Sequence, residues 1–146
     1  MDGEQLHQLI YRYESATFTV NRRLSALIRE LMPGGLTADQ YGILRYIQER
    51  QRCTSSELAD MFCVGKSSIT AIITRLFDKE LIRRMPDEKD RRIIYLQLTE
   101  KGAGVATEME IKIQQLLARY ISHFEEQEAE TFIRTYEKLA KVLTEQ

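Results

Sequence analysis

The sequence has little that would break a helix and little that would cross-link a chain. Its two prolines, Pro33 and Pro86, leave room for long helices and mark where they stop. Its two cysteines, Cys53 and Cys63, are too few for a disulfide framework, and their spacing fits neither a Cys-x-x-Cys redox pair nor a zinc-ligand pattern, so a reducing compartment suits them. No apolar stretch approaches the ~20 residues needed to cross a bilayer. The first residues alternate charge with Leu and Ile where a signal peptide needs an unbroken apolar core, so the expected location is cytoplasmic, without a membrane partner. Gly-rich, Pro-rich and low-complexity runs are also missing, and 43% hydrophobic with 29% charged residues is ordinary globular composition, which excludes disorder and fibrous repeats. At roughly 100 to 200 residues per domain, 146 residues make one domain and no multidomain enzyme.

Net charge is also scarce, at −1 from 21 Lys plus Arg and 22 Asp plus Glu, but it is unevenly spread. Between residues 63 and 95, Lys66, Arg75, Lys79, Arg83, Arg84, Lys89, Arg91 and Arg92 outnumber five acidic groups. From 103 to 146 the excess is acidic by three. A polyanion would be met by the middle of the chain and repelled by its end.

What is present is mostly helical periodicity. Leu6, Ile10, Tyr13, Thr17, Val20, Leu24, Leu27 and Leu31 alternate four- and three-residue steps, one stripe of a helix that ends at Pro33-Gly34-Gly35. Thr37 with Gln40, and Thr54 with Glu57, have capping-box spacing and predict helices starting near 38 and 55. The first of these turns Tyr41, Leu44 and Ile47 inward; the second is short, with Leu58, Met61 and Phe62 as its apolar residues. After the break Cys63-Val64-Gly65, a further helix carries Ile69, Ile72, Ile73 and Leu76 on one face.

The period then becomes strand-like in 81–85 and 92–98, with the polar tip Pro86-Asp87-Glu88-Lys89-Asp90 between, and the two runs read as a hairpin. Helical stripes resume with Val105, Met109, Ile113, Leu116, Tyr120 and Phe124, and again with Phe132, Ile133, Tyr136, Leu139 and Leu143. The end helices need a partner surface that a small middle unit does not supply, so a homodimer built from the two ends is expected. The predicted class is mainly α with a small β-hairpin wing: residues 1–35 and 103–146 dimerise, and 36–102 form a winged helix-turn-helix lobe.

Two short helices joined by a tight turn form the helix-turn-helix pattern. With Ile69, Ile72, Ile73 and Leu76 inward, Lys66, Ser67, Ser68, Thr70, Ala71, Thr74 and Arg75 fall outside. Small side chains and hydroxyls let a helix sit deep in a major groove, where Ser and Thr bond base edges or phosphates, Ala meets a thymine methyl and Arg or Lys addresses guanine. A basic hairpin directly after such a helix adds backbone and minor-groove contacts. Double-stranded DNA is therefore the expected partner.

The run from Asp90 to Gly102, Asp-Arg-Arg-Ile-Ile-Tyr-Leu-Gln-Leu-Thr-Glu-Lys-Gly, closely resembles the wing signature D-x-R-x-x-x-(L/V)-x-L-T-x-x-G of the MarR family of bacterial winged-helix transcriptional regulators. Residues 58–81 are similar to that family's helix-turn-helix, and helix order and length match over nearly the whole chain. The resemblance implies a dimeric repressor reading a pseudo-palindromic operator, in which Arg92 enters the minor groove from the wing tip and Asp90 orients it. A guanidinium at a hairpin tip suits a narrow, negative A·T minor groove, and a carboxylate two residues earlier can fix its planar fork. Lys89 and Arg91 are then backbone contacts. The resemblance also implies a small-molecule effector held between the first helix, the fifth helix and the DNA-binding lobe, with Tyr13, Tyr41 and Tyr46 as candidates to line its pocket.

Cys63 stands where many relatives carry Gly, and Gly65 where a capping Ser is frequent. Peroxide sensors of the family carry their reactive Cys in the first helix, which has none here, so Cys63 is expected to be an inert, partly buried thiol and Cys53 a residue that merely precedes a helix cap. His7 and His123 lie too far apart in the chain, without a second ligand at helical spacing, to predict a metal site, and the run Glu125, Glu126, Glu128, Glu130 reads as a helix N-terminus. No cofactor is expected. With no G-x-S-x-G, no phosphate-cradling Gly loop and no H-E-x-x-H, no enzyme is expected either. Two alternatives stay open: a winged helix that docks an acidic protein partner, and a regulator switched by cysteine oxidation.

Overall fold

Residues 1–145 are described by the structure, a computed structural model. Over that span six helices and one hairpin follow in the order α1 (Gly3–Leu31), α2 (Ala38–Arg50), α3 (Ser55–Phe62), α4 (Lys66–Asp78), β1 (Ile82–Pro86), β2 (Ile94–Leu98), α5 (Glu100–Ile121) and α6 (Glu126–Thr144). Local chemistry sets these boundaries. Asp2 and Gln5 close a capping box at the start of α1, with the Asp2 carboxylate 2.8 Å from the Gln5 N–H. Met32 leaves the helix with ψ 140, the extended backbone that the residue before Pro33 must take. Thr37 and Gln40 form the predicted box on α2. At α3 only half of the box is formed: the Thr54 hydroxyl accepts the Glu57 N–H at 3.2 Å.

The hairpin is antiparallel, pairing Ile82 with Leu98, Arg84 with Leu96 and Pro86 with Ile94. It has a third, one-residue edge. Cys53 donates its N–H to the Leu96 carbonyl at 3.2 Å and accepts the Leu96 N–H at 2.7 Å, the exchange of an antiparallel pair. Cys53 is thus a core residue, 1% exposed, that roots the wing on the α2–α3 connection, and not the bystander before a cap that its place beside Thr54 predicts.

The chain divides into two compact units, one from Met1 to Met109 and one from Glu110 onward. In the first, Ile43, Leu44 and Ile47 of α2 meet Leu58 of α3, Ile69, Ile73 and Leu76 of α4, Ile82 and Leu96 of the hairpin and Ala106 of α5, all but sealed from solvent. The apolar faces depart from expectation at two places. Met61 is 52% exposed, because the buried face of α3 is centred between Leu58 and Ala59, in line with Phe62, and at about 100° per residue Met61 lies outside it. Ile72 is only half-buried, at the margin of the α4 core face.

No residue of α1 is buried, and Leu6, Ile10, Tyr13 and Val20 each stand about half exposed along the predicted stripe. In the second unit α6 likewise has no buried residue, with Phe132 stacked on Tyr136 at 5.4 Å and Ile133 and Leu143 open to solvent. The acidic run caps α6 as expected: the Glu125 N–H donates to the Glu128 carboxylate at 3.1 Å.

Candidate nucleic-acid interface

Helix α4 divides cleanly into two faces. Ile69, Ile73 and Leu76 are buried, whereas Lys66, Ser67, Ser68, Thr70, Ala71, Thr74 and Arg75 are all exposed. Its N-cap, Gly65, makes no side-chain cap bond, so the first-turn amides are open to an anion beside Lys66. The Thr70 hydroxyl donates to the Lys66 carbonyl at 2.7 Å and the Thr74 hydroxyl to the Thr70 carbonyl at 2.9 Å. With their protons turned back onto the helix, these two hydroxyls face outward as acceptors, complementary to the amino groups of adenine and cytosine.

The turn before α4 is made by Cys63 at φ 54, the left-handed C-cap that relieves the end of α3, with its N–H on the carbonyls of Ala59 and Asp60 and the Val64 N–H on Ala59 at 3.1 Å. Glycine takes this conformation freely and cysteine does so at a cost. Cys63 is exposed, so the expected partial burial is corrected: in a left-handed cap the side chain is directed away from the helices that flank the turn. Cys53 is its opposite, with a thiol pushed up to about 12 chiefly by burial and further by the charge of Glu57.

At the wing tip Asp90 grips Arg92 with both carboxylate oxygens. Oδ1 accepts the Arg92 backbone N–H at 3.1 Å and Nε–H at 3.0 Å, and Oδ2 accepts from Nη2 at 3.0 Å. The hydrogen bonds from Arg92 hold the Asp90 carboxyl below its ordinary value, and Arg92 is shifted upward in return. The turn beneath is closed by the Asp87 N–H on the Ile93 carbonyl at 2.9 Å and the Ile93 N–H on the Asp90 carbonyl at 3.0 Å. Arg92 remains 91% exposed and keeps three of its five N–H donors for an outside partner. Lys89 and Arg91 are exposed on either side.

Two cation–aromatic stacks that no sequence motif announces stiffen the wing. The Arg84 guanidinium lies 4.6 Å from the Phe77 ring of α4, and that of Arg52 lies 4.0 Å from the Tyr95 ring of β2. The first joins residues seven apart across the turn from α4 into β1, and the second joins residues more than forty apart, which only the folded chain brings together. The three tyrosines are dispersed: Tyr13 is exposed on α1, Tyr41 is buried on α2 and Tyr46 is half-buried under Arg50 at 4.4 Å. An open cleft of about 300 Å³ between α2, β2 and the start of α5 is lined by Ile47, Gln48, Gln51, Gln97, Leu98 and Ala103, and by none of the three. Among the described residues no group of three His, Cys, Asp or Glu side chains is placed to hold a metal ion. No helix among them is long and apolar enough to cross a membrane.

Comparison with known proteins places this arrangement in a family. Residues 36–94, the span from the start of the lobe to the wing, match the model of the MarR family. The HTH-type transcriptional repressor MdtR of Bacillus subtilis is 32% identical over 113 residues, covering 72% of this chain and 73% of that protein. A MarR family protein from Bacillus stearothermophilus is similar in structure with a TM-score of 0.82 and 25% identity, over 99% of both chains. A mutant MarR from E. coli complexed with operator DNA has the same fold, with a TM-score of 0.77 at 24% identity over 92% of this chain and 97% of that one. The wing signature, the helix-turn-helix and these matches together make the chain a member of the MarR family of helix-turn-helix transcriptional regulators.

Proposed function

We propose that the protein is a cytoplasmic repressor that binds a pseudo-palindromic operator as a homodimer and is released by a small-molecule effector. The observation that carries the reading is the Arg92 fork, held by both oxygens of Asp90 at the tip of a wing that follows an outward-facing row of Ser, Thr, Ala and Arg on α4. A guanidinium fixed in this way has lost much of its rotamer freedom before it meets DNA, so less is lost on insertion into a minor groove. Lys66, Ser67, Ser68, Thr70, Ala71, Thr74 and Arg75 read the major groove, and Lys89 and Arg91 hold phosphates. The half-exposed apolar stripes along α1 and along α6 support the homodimer, since apolar side chains repeated on one face of a helix and left uncovered suit association with a second copy. For the effector, Tyr13, Tyr41 and Tyr46 are the proposed contacts, dispersed as they are over α1 and α2.

Selection of bound fragments from sheared genomic DNA, followed by footprinting, tests the reading. The expected result is salt-sensitive protection of two half-sites centred about 10 to 10.5 base pairs apart. A chain that is monomeric by light scattering at micromolar concentration, or that protects one half-site regardless of spacing, refutes it. A second reading, docking of an acidic protein, is favoured by the exposed Met85, Ile93 and Ile94 on the wing, and absence of any salt-sensitive duplex binding would select it.

A further inference from the structure

The end of α4 farthest from the helix-turn-helix turn is fastened to two other elements around Lys79. Lys79 caps α4 with its backbone N–H on the Arg75 and Phe77 carbonyls. Its ammonium donates to the Gly35 carbonyl, in the turn that joins α1 to α2, and to Gln40 Oε1 at 2.8 Å. Gln40 is buried and is the same side chain that closes the capping box of α2, accepting the Thr37 N–H at 3.3 Å. From the other side, the Lys79 carbonyl accepts from Lys101 in the first turn of α5 at 3.2 Å, and the next carbonyl, that of Glu80, accepts the Thr99 hydroxyl at 2.6 Å.

We propose that Lys79 is a positioning residue for DNA recognition: by tying the C-terminus of α4 to the α1–α2 turn and to the start of α5, it sets the angle at which α4 is presented. The inference rests on the reading of a two-fold DNA-binding protein given above, and adds a residue to it that touches no DNA. The lever arm makes the contact consequential. Thirteen residues at 1.5 Å each give α4 a length of about 20 Å, so a tilt of about 5° at the Lys79 end moves the Lys66 end by about 1.7 Å. Two copies tilting in opposite senses change the separation of their reading ends by about 3.4 Å, roughly one base-pair step. The loss of Lys79 therefore registers as a loss of spacing discrimination. Its ammonium links the α1–α2 turn to α4 through charge-assisted bonds, which the alkyl stem alone cannot replace.

The test uses the full chain and three variants, Lys79→Met, Lys79→Arg and Gln40→Met, titrated at fixed salt against the selected operator with its natural spacer and with one base pair added or removed. Thermal unfolding is followed in parallel. Lys79→Met is expected to bind the natural operator about tenfold more weakly, the equivalent of one charge-assisted bond, while the gap between natural and altered spacers narrows to roughly threefold. Lys79→Arg is expected to restore the gap, and Gln40→Met to narrow it less than Lys79→Met. A Lys79→Met protein that keeps the parent's spacing discrimination overturns the proposal, as does a uniform loss at every spacer that Lys79→Arg fails to repair. Should Lys79→Met not fold, the Gln40→Met and Lys79→Arg arms decide by the same criterion. A parent protein indifferent to spacing refutes the two-fold reading itself and this inference with it.

Discussion

Replacing Gly102 with Ala sets two well-known effects against each other. Gly102 lies in the first turn of α5, and a methyl group there would collide with the Leu81 carbonyl oxygen and come within 2.9 Å of its carbon and 3.3 Å of Leu81 Cα, whereas carbon contacts rest at about 3.5 to 4.0 Å. The obstacle is backbone and cannot rotate aside. The Leu81 carbonyl is already engaged by the Thr99 N–H at 3.1 Å, and the Gly102 N–H is held by the Thr99 hydroxyl at 3.0 Å. Helix propensity alone predicts that Ala stabilises α5 by about 1 kcal/mol over Gly. Overpacking costs about 1 to 3 kcal/mol, and separating α5 from Leu81 removes a hydrogen bond worth about 1 kcal/mol. The clash wins: Gly102→Ala is expected to destabilise by about 1 to 3 kcal/mol, lowering the melting midpoint by about 4 to 8 °C at the centre of that range. Urea unfolding followed by circular dichroism at one fixed protomer concentration measures it. Unchanged or increased stability would refute the close approach of α5 to Leu81, and with it the physical explanation of the final Gly in the wing signature.

Arg92→Ala should weaken operator binding most where the flanks are rich in A·T, and Asp90→Ala should do the same more mildly, as read by titration on a panel of flank variants. The Asp90 carboxyl is depressed in the folded protein, so its hold on Arg92 is complete above the unfolded carboxylate pKa of about 3.9 and is lost only as pH falls through the lower folded value; Asp90→Ala should therefore weaken binding equally at pH 6 and pH 8. Thr74→Ala is expected to change base preference within the half-site, by about 1 to 3 kcal/mol at the contacted position, and an unchanged preference matrix would remove Thr74 from the reading face. Ellman's reagent should modify one thiol in the native protein, Cys63, and a second only on unfolding, because Cys53 is buried with its thiol pushed up to about 12. Peroxide sensitivity of DNA binding that disappears in Cys63→Ser would establish the redox alternative; equal behaviour of the two proteins would dismiss it.

Local signals were legible in the sequence wherever one residue's neighbours along the chain decide its state. Thr37 and Gln40, Pro33 and the acid run before α6 each act over a few residues, and the helices they mark begin or end there. The Asp90–Arg92 fork is of the same kind, two residues apart on one turn. The strand-like runs located the hairpin but not its ends: Pro86, read as part of the tip, pairs with Ile94 in the ladder, and Arg92 and Ile93, read as strand, belong to the tip. What escaped depends on distant pairing. Cys53 looks like a spacer before Thr54 until β2 arrives beside it, more than forty residues later, and offers Leu96 as its partner. Lys79 reads as one more surface cation, since nothing near it in sequence reveals that Gly35 and Gln40 stand within its reach. Met61 failed for a different reason: with eight residues, α3 has too few turns for periodicity to fix the centre of its buried face.

The bridge between Cys53 and Leu96 also separates the wing into parts with different freedom to vary. Below it, any insertion or deletion shifts β2 against both Cys53 and β1 and turns Leu96 out of the core. Above it, Glu88 and Lys89 are exposed at the tip, and lengthening such a loop costs only about 0.6 kcal/mol for each doubling. Residues added between Glu88 and Lys89 would lengthen the tip at the expense of the Asp90 N–H bond to Asp87, while the contacts between Asp90 and Arg92, which lie within three residues, stay intact. A fold built in this way can evolve the depth at which it probes a groove independently of the stability of the lobe that carries the probe.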